Sequence, residues 1–149
     1  MTGFIPSYKK ISEEDFAKRL FQADEILKNC TSCPRNCLAD RKNKNLGTCQ
    51  SGDRPIVSSY TLHFGEEPVL SGTNGAGNIF FGNCNLRCDY CQNFVISQNP
   101  NLEKRNEVSA ERLAGIMLEL QALNCHNIGL VSPTHFASPI LKSIKIAKD

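Results

Sequence analysis

The sequence has little excess charge and no long apolar run, and no secretory leader is predicted from it. Its 149 residues carry a formal net charge of +2, which argues against nucleic acid as a main partner because such binding calls for a concentrated basic surface. No apolar run reaches about 18 residues, so no membrane-spanning helix is predicted. Residues 1–10 lack a charged region followed by an apolar core. We therefore expect a cytoplasmic protein with no membrane or nucleic-acid partner.

Cysteine is abundant by contrast, with 8 residues in the chain. In a cytosolic chain of this size, clustered cysteines favour metal ligands or catalytic groups over disulfides. Cys125 stands alone beside His126, where a buried thiol at a helix end is the favoured interpretation. The other seven form two groups: Cys30, Cys33, Cys37 and Cys49, and then Cys84, Cys88 and Cys91.

The first cysteine group has four members within twenty positions. It predicts a second metal site in one of three forms: a four-thiolate zinc site, an accessory iron–sulfur cluster, or part of either. Four unrelated buried thiols are less favoured, because all four would have to cluster by accident. A zinc-stabilised interaction or nucleic-acid module is a further alternative, which the small net charge disfavours.

The second cysteine group has the spacing C-x3-C-x2-C over residues 84–91. Iron–sulfur clusters are usually held by four cysteine thiolates. Three thiolates leave one iron of a cubane cluster without a protein ligand, and an open coordination position is typical of a reactive site rather than a structural one. The loop therefore predicts a cluster whose last position is completed by another molecule.

Strand and helix patterns alternate from residue 78 onward. A strand over residues 78–81 precedes the cysteine loop, and Ser109 caps a helix. A short strand over residues 128–131 follows, and Ser138 begins another helix. This order predicts a parallel sheet with right-handed crossovers. Functional groups then belong in the loops after Phe81 and Val131, at the carboxyl ends of the strands.

The remaining segments have simpler patterns. Ser12 is expected to cap a helix that ends near Cys30, after a loosely held arm over residues 1–11. Residues 55–62 suit a strand, and residues 94–108 are expected to be a polar connection. His63, Glu66 and Glu67 offer acid–base or metal-binding groups, but a polar turn is favoured because adjacent residues point to different sides.

Cys84 to Cys91, with Tyr90 in the position before the last cysteine, resembles the signature of radical S-adenosylmethionine (SAM) enzymes. The flanking residues resemble the uncharacterised proteins that are similar to pyruvate formate-lyase activating enzyme. The resemblance extends from about Cys30 to the C-terminus, and its flanking segments are residues 30–37, 63–68, 91–93 and 133–135.

The resemblance implies that the second cysteine group binds a 4Fe–4S cluster and that SAM chelates the open iron. One-electron cleavage would release a 5′-deoxyadenosyl radical. Tyr90 would border the adenine. Thr134 and His135 stand where the superfamily carries a glycine-glycine-glutamate-type segment, so they are expected to contact the cofactor. Expected partners are a protein substrate and a reductant such as flavodoxin or ferredoxin.

The resemblance also sets an expectation about size. A complete eight-unit barrel takes about 250 residues, and two strand–helix units are predicted here. The expected fold is α/β, the first βαβα portion of a partial TIM barrel of about six units. Residues 1–54 would be a Cys-rich segment with one helix and residues 55–149 an incomplete core. We expect the N-terminal half of an enzyme, completed by a second chain. The alternative is a truncated, non-catalytic remnant that binds an iron–sulfur cluster or zinc.

Overall fold

The computed structural model describes residues 5–148 and has a three-stranded sheet at its centre. Its strands are β1 (Val57–His63), β2 (Ala76–Phe81) and β3 (Ile128–Val131). β2 pairs in parallel with β3, as the sequence predicts, whereas β1 pairs antiparallel with β2. Parallel neighbours need a long crossover, but the link from β1 to β2 holds one helical turn, α2 (Pro68–Ser71), so the chain turns straight back. The fold is α/β with an open, mixed sheet.

Both predicted helix caps are confirmed. The Ser12 hydroxyl accepts a hydrogen bond from the Asp15 N–H (3.1 Å), and that of Ser109 accepts one from the Arg112 N–H (3.2 Å). Each satisfies a backbone donor that the first turn leaves without a helical partner. None of the described helices is both long and apolar enough to cross a membrane. The three long helices are α1 (Glu13–Ile26), α5 (Ala110–Ala122) and α6 (Ala137–Lys148).

The connection after the cysteine loop is more ordered than expected. Instead of an irregular polar link, it holds α3 (Phe94–Ser97), α4 (Pro100–Glu103) and a 3-10 turn over Lys104–Asn106. The Asn99 side chain accepts from the Leu102 N–H, and Pro100 occupies the first helical position. Asparagine before proline is a helix-start signal that the sequence interpretation overlooked. Of the predicted N-terminal arm, residues 1–4 lie outside the described residues, and Ser7–Lys10 forms a 3-10 turn.

Helices α5 and α6 cover one face of the sheet. Phe81, at the end of β2, packs against Phe136 with ring centroids 5.7 Å apart. Both rings are buried, which contributes favourably to the packing at this end of the sheet. The core is completed by Ile56, Val57, Ile79, Leu113, Ile116, Met117, Leu120 and Ile140.

The N-terminal segment packs directly on this core. Phe16 of α1 is fully buried, and the Lys148 ammonium lies 5.1 Å from the centroid of its ring. Glu13 pairs with Lys148 (2.7 Å) and Lys145 (3.1 Å), both on α6. The described residues therefore pack across the predicted boundary at residue 54, and the division into two domains remains a prediction.

Candidate cysteine site after strand β2

The cysteine loop leaves the sheet beside the loop that follows β3. Phe80 of β2 is paired with Val131, the last residue of β3, so both loops start at the same edge of the sheet. The link between them is direct, because the His135 Nε2 lies 3.1 Å from the Gly82 carbonyl oxygen. The two loops therefore meet at the carboxyl ends of parallel strands, and their functional role remains a prediction.

Helix α3 closes the cysteine loop. The N–H of Cys84 donates to the Ser97 carbonyl (2.8 Å), and the Gln98 side-chain amide donates to the Cys88 carbonyl (3.1 Å). Asn83 and Arg87 have positive φ angles of 54° and 57°, a left-handed conformation that turns the chain sharply. The first and second cysteines are therefore tied to the segment that follows the third.

Hydrogen bonds from three side chains hold this loop against the N-terminal segment. Arg35 Nε donates to the Asn85 carbonyl (3.0 Å), and the same guanidinium also donates to the Leu86 carbonyl. The Asn83 amide donates to the Gln50 carbonyl (2.9 Å). Arg87 donates back to the Thr48 carbonyl (3.1 Å). The two cysteine groups are thus spatial neighbours. Arg35 was missed because its acceptors are backbone carbonyls about 50 positions away, which leave no pattern in the sequence.

The three thiols of this loop are half-buried and free. The Leu86 N–H donates to Cys84 Sγ (3.4 Å), and Cys91 Sγ lies 3.3 Å from the Ser97 hydroxyl. Hydrogen bonds to sulfur are among the factors that tune iron–sulfur clusters. Three half-buried thiols in one closed loop, two of them already beside polar hydrogen atoms, fit the ligand chemistry of a cluster.

In residues 5–148, no group of three or more His, Cys, Asp or Glu side chains is positioned to hold one metal ion. A cubane cluster takes each thiolate on a different iron, so its ligands stand further apart than those around a single zinc ion. The cluster prediction for Cys84, Cys88 and Cys91 is therefore neither confirmed nor excluded by this finding.

The predicted cofactor-contacting residues lie in different environments. Tyr90 is 90% exposed, and Thr134 is also exposed. His135 is only 1% exposed, with its ring 4.1 Å from that of Phe136, centroid to centroid. Tyr90 is therefore open to a ligand. His135 instead holds the backbone just before the cysteine loop.

Burial, assisted by the nearby Arg41 charge and opposed by the hydrogen bond to Gly82, lowers the pKa of His135 to about 4. The ring is therefore neutral at pH 7, and in that state its Nε2–H donates to the Gly82 carbonyl. The other ring nitrogen, Nδ1, is buried and has no hydrogen-bond partner in the described structure. A charged ring would have to be hydrated, which this position does not allow.

This gives a prediction for acid stability. The folded protein binds a proton on His135 less readily than the unfolded chain, so the stability from this residue is fully present above pH 6.5 and is lost as the pH falls towards 4. At pH 5 the free energy of unfolding should be lower by about 2 kcal/mol than at pH 7 because of this residue. Urea unfolding at pH 7 and pH 5 measures it. The control is His135→Gln, which keeps a donor for Gly82 but does not titrate. An equal pH dependence in both proteins would contradict the assignment.

The first cysteine group is partly buried in the N-terminal segment. Cys30 and Cys49 are buried, whereas Cys33 and Cys37 are half-buried. Burial opposes ionisation of Cys30, but hydrogen bonds with Ser32 and Arg41 outweigh it and lower the pKa of this thiol. Burial raises the pKa of Cys49. The second metal site at these four cysteines remains a prediction.

Other polar residues are placed away from the cysteine loop. His63 Nδ1 lies 3.2 Å from Glu66 Oε1, and the Asn78 amide donates to the same oxygen (3.0 Å). His63 pairs with Ala76 at the start of β2, whereas the cysteines follow its end, roughly 17 Å away at the rise of a strand. His126 accepts from the N–H groups of Thr73 and Asn74. His63, Glu66 and His126 therefore stabilise turns near the start of β2, at the end of the strand opposite to the cysteine loop.

Comparison with known proteins adds one similarity. The chain is 40% identical over 76 residues to the uncharacterized protein MJ0674 of Methanocaldococcus jannaschii. The aligned part is 51% of this chain and 21% of that protein, so the chain spans about a fifth of the length of this relative. No protein-family model and no solved structure matches the chain. These comparisons leave the class of protein to be argued from the site.

Proposed function

We propose that this chain is a radical SAM iron–sulfur protein of the activating-enzyme-like type. The observation that supports it best is the closed loop of three half-buried thiols, Cys84, Cys88 and Cys91, which begins at the carboxyl end of a parallel strand. Sites in α/β sheets occur at this edge. The three cysteines would hold a 4Fe–4S cluster, and SAM would occupy the position without a protein ligand.

The chemistry supplied by the bound groups is one-electron cleavage of SAM to a 5′-deoxyadenosyl radical. The contribution of the protein is to position these groups. Arg35 fixes two carbonyls between the first and second cysteines, and neutral His135 fixes Gly82. The exposed ring of Tyr90 is available to stack on a base. Rigid placement of the loop matters because a small displacement of a reacting group costs much of the rate.

Exposed apolar side chains around the loop support the proposal of a protein substrate and a flavodoxin or ferredoxin reductant. Tyr90 is 90% exposed, and Leu86, Phe94 and Val95 are each more than half exposed. Contiguous apolar residues at a surface are typical of contact sites. The further proposal of a second chain that adds strands rests on β3, which is an edge strand within the described sheet.

The test is assembly of the iron–sulfur cluster on the protein, followed by an assay of SAM cleavage. Anaerobic incubation with iron and sulfide should give cluster absorbance, and addition of a strong reductant and SAM should give 5′-deoxyadenosine, detected by liquid chromatography. Cluster absorbance without 5′-deoxyadenosine would contradict the proposal and support the non-catalytic alternative. Zinc without iron in the purified protein would support a zinc module based on the first cysteine group.

A further inference from the structure

A cavity of about 710 Å³ lies between the N-terminal segment and the residues that follow the cysteine loop. Its lining comes from residues 41–56 on one side and residues 100–107 on the other, together with Asn83. None of the thiols of the cysteine loop lines it, although Asn83 immediately precedes Cys84. The volume is in the range of sites that bind small molecules. We call it the basic cavity, because its lining has more basic than acidic side chains.

Positive charge exceeds negative charge in its lining. Lys44 and Lys104 come from the two opposite sides, and neither has an ion-pair partner within residues 5–148. The two acidic lining residues each face a cation already, in the pairs Asp53–Lys42 (3.6 Å) and Glu107–Arg54 (3.5 Å). The lining therefore has two lysines whose charge is not neutralised nearby, which raises the local concentration of anions.

Arg41 adds a buried cation to the same lining. Its side chain is 1% exposed, and no carboxylate of the described chain forms an ion pair with it. Its guanidinium donates to the carbonyls of Ser51, Gly52 and His135 and lies 3.8 Å from Cys30 Sγ. These contacts use four of its five N–H groups. A buried charge that is paired with no carboxylate is stabilised by an anion nearby.

The lining also contains an unsatisfied acceptor. The Asn83 amide nitrogen donates to the Gln50 carbonyl, which fixes the orientation of the amide group. Its oxygen is buried and has no hydrogen-bond partner in the part of the chain that is described. Unsatisfied buried polar atoms are rare in native structures. A ligand with an O–H or N–H group would satisfy this oxygen after a small shift of the side chain.

We propose that the basic cavity binds a small anion that carries a phosphate or carboxylate group and a hydroxyl or amino donor. The anionic group lies between Lys44 and Lys104 and neutralises the charge of Arg41. The donor faces Asn83, and the ligand thereby contacts the residue that leads into the cysteine loop. The site does not depend on a cluster, because none of the thiols of that loop contributes to it.

The test is isothermal titration calorimetry of the full chain, purified anaerobically with the metal it carries. Glycerol 3-phosphate and malate are the two probes, since both carry hydroxyl groups and about two negative charges. We expect saturable binding of one probe per chain at about 0.1 M salt, where surface attraction is largely screened. The probe that binds more tightly identifies phosphate or carboxylate as the recognised group.

Matched variants test whether the probe binds in the basic cavity. Lys44→Ala combined with Lys104→Ala should weaken binding roughly tenfold or more, because two charge-assisted contacts are lost. Lys18→Ala removes an exposed lysine of α1 outside the cavity and should leave binding unchanged. Absence of binding by both probes, or equal binding by the double variant, would overturn the proposal. Neither result bears on SAM cleavage, so the two proposals are tested separately.

Discussion

Serine in place of Cys84, Cys88 or Cys91 is expected to abolish 5′-deoxyadenosine formation and to remove the cluster absorbance that this loop contributes. A serine hydroxyl remains protonated at neutral pH and is a hard oxygen donor, whereas iron–sulfur clusters require thiolates. Mutation of a residue that only hydrogen-bonds to a metal ligand lowers metal affinity or activity by about 10–100-fold. Loss of a ligand itself should therefore lower the yield of 5′-deoxyadenosine by at least about 100-fold. Iron content, absorbance and product are measured on the same samples.

The matched control is Cys125→Ser. This thiol is half-buried near Gly77, at the start of β2, and should leave iron content and product unchanged. Cys33→Ser tests the first cysteine group in the same assay. Loss of iron with full 5′-deoxyadenosine formation would assign a separate cluster to that group. Equal cluster yields in wild type and the Cys88→Ser variant would disprove the assignment of the second group.

Methionine in place of Arg41 is expected to lower the free energy of unfolding by about 3 kcal/mol or more. The carbonyls of Ser51, Gly52 and His135 would lose their donor while they remain buried, and each unsatisfied buried group costs about 1–3 kcal/mol. Removal of a complete buried ion pair is often tolerated, but here the acceptors belong to the backbone and cannot be removed. Urea unfolding at pH 7 measures the change.

Arg87→Met provides the control for this effect. Arg87 is exposed and makes one side-chain hydrogen bond, to the Thr48 carbonyl. Such surface substitutions usually change stability by less than about 0.5 kcal/mol. A change below about 1 kcal/mol for Arg41→Met would show that the contacts of the buried guanidinium contribute little. The N-terminal segment would then be held mainly by the packing of Phe16.

Local features of the fold followed closely from the sequence. The caps at Ser12 and Ser109 and the parallel pairing of β2 with β3 are all found in the structure. The caps were predictable because capping depends on residues a few positions apart, and the parallel pairing followed from the strand–helix–strand order of the sequence. The antiparallel pairing of β1 was not predicted, because no local pattern specifies which strand will be its neighbour. The partial TIM barrel suggested by the resemblance remains a prediction.

In the candidate site, too, some features follow from the sequence and others only from the tertiary structure. The sequence alone determined that three thiols follow a strand at C-x3-C-x2-C spacing, because ligand type and spacing are properties of the chain. Only the tertiary structure showed that Arg35 and Gln50 hold this loop against the first cysteine group, and that His135 is buried and neutral. Those contacts join residues about 30 to 50 positions apart, mostly through backbone carbonyls, which every residue carries alike. They depend on how the folded segments pack.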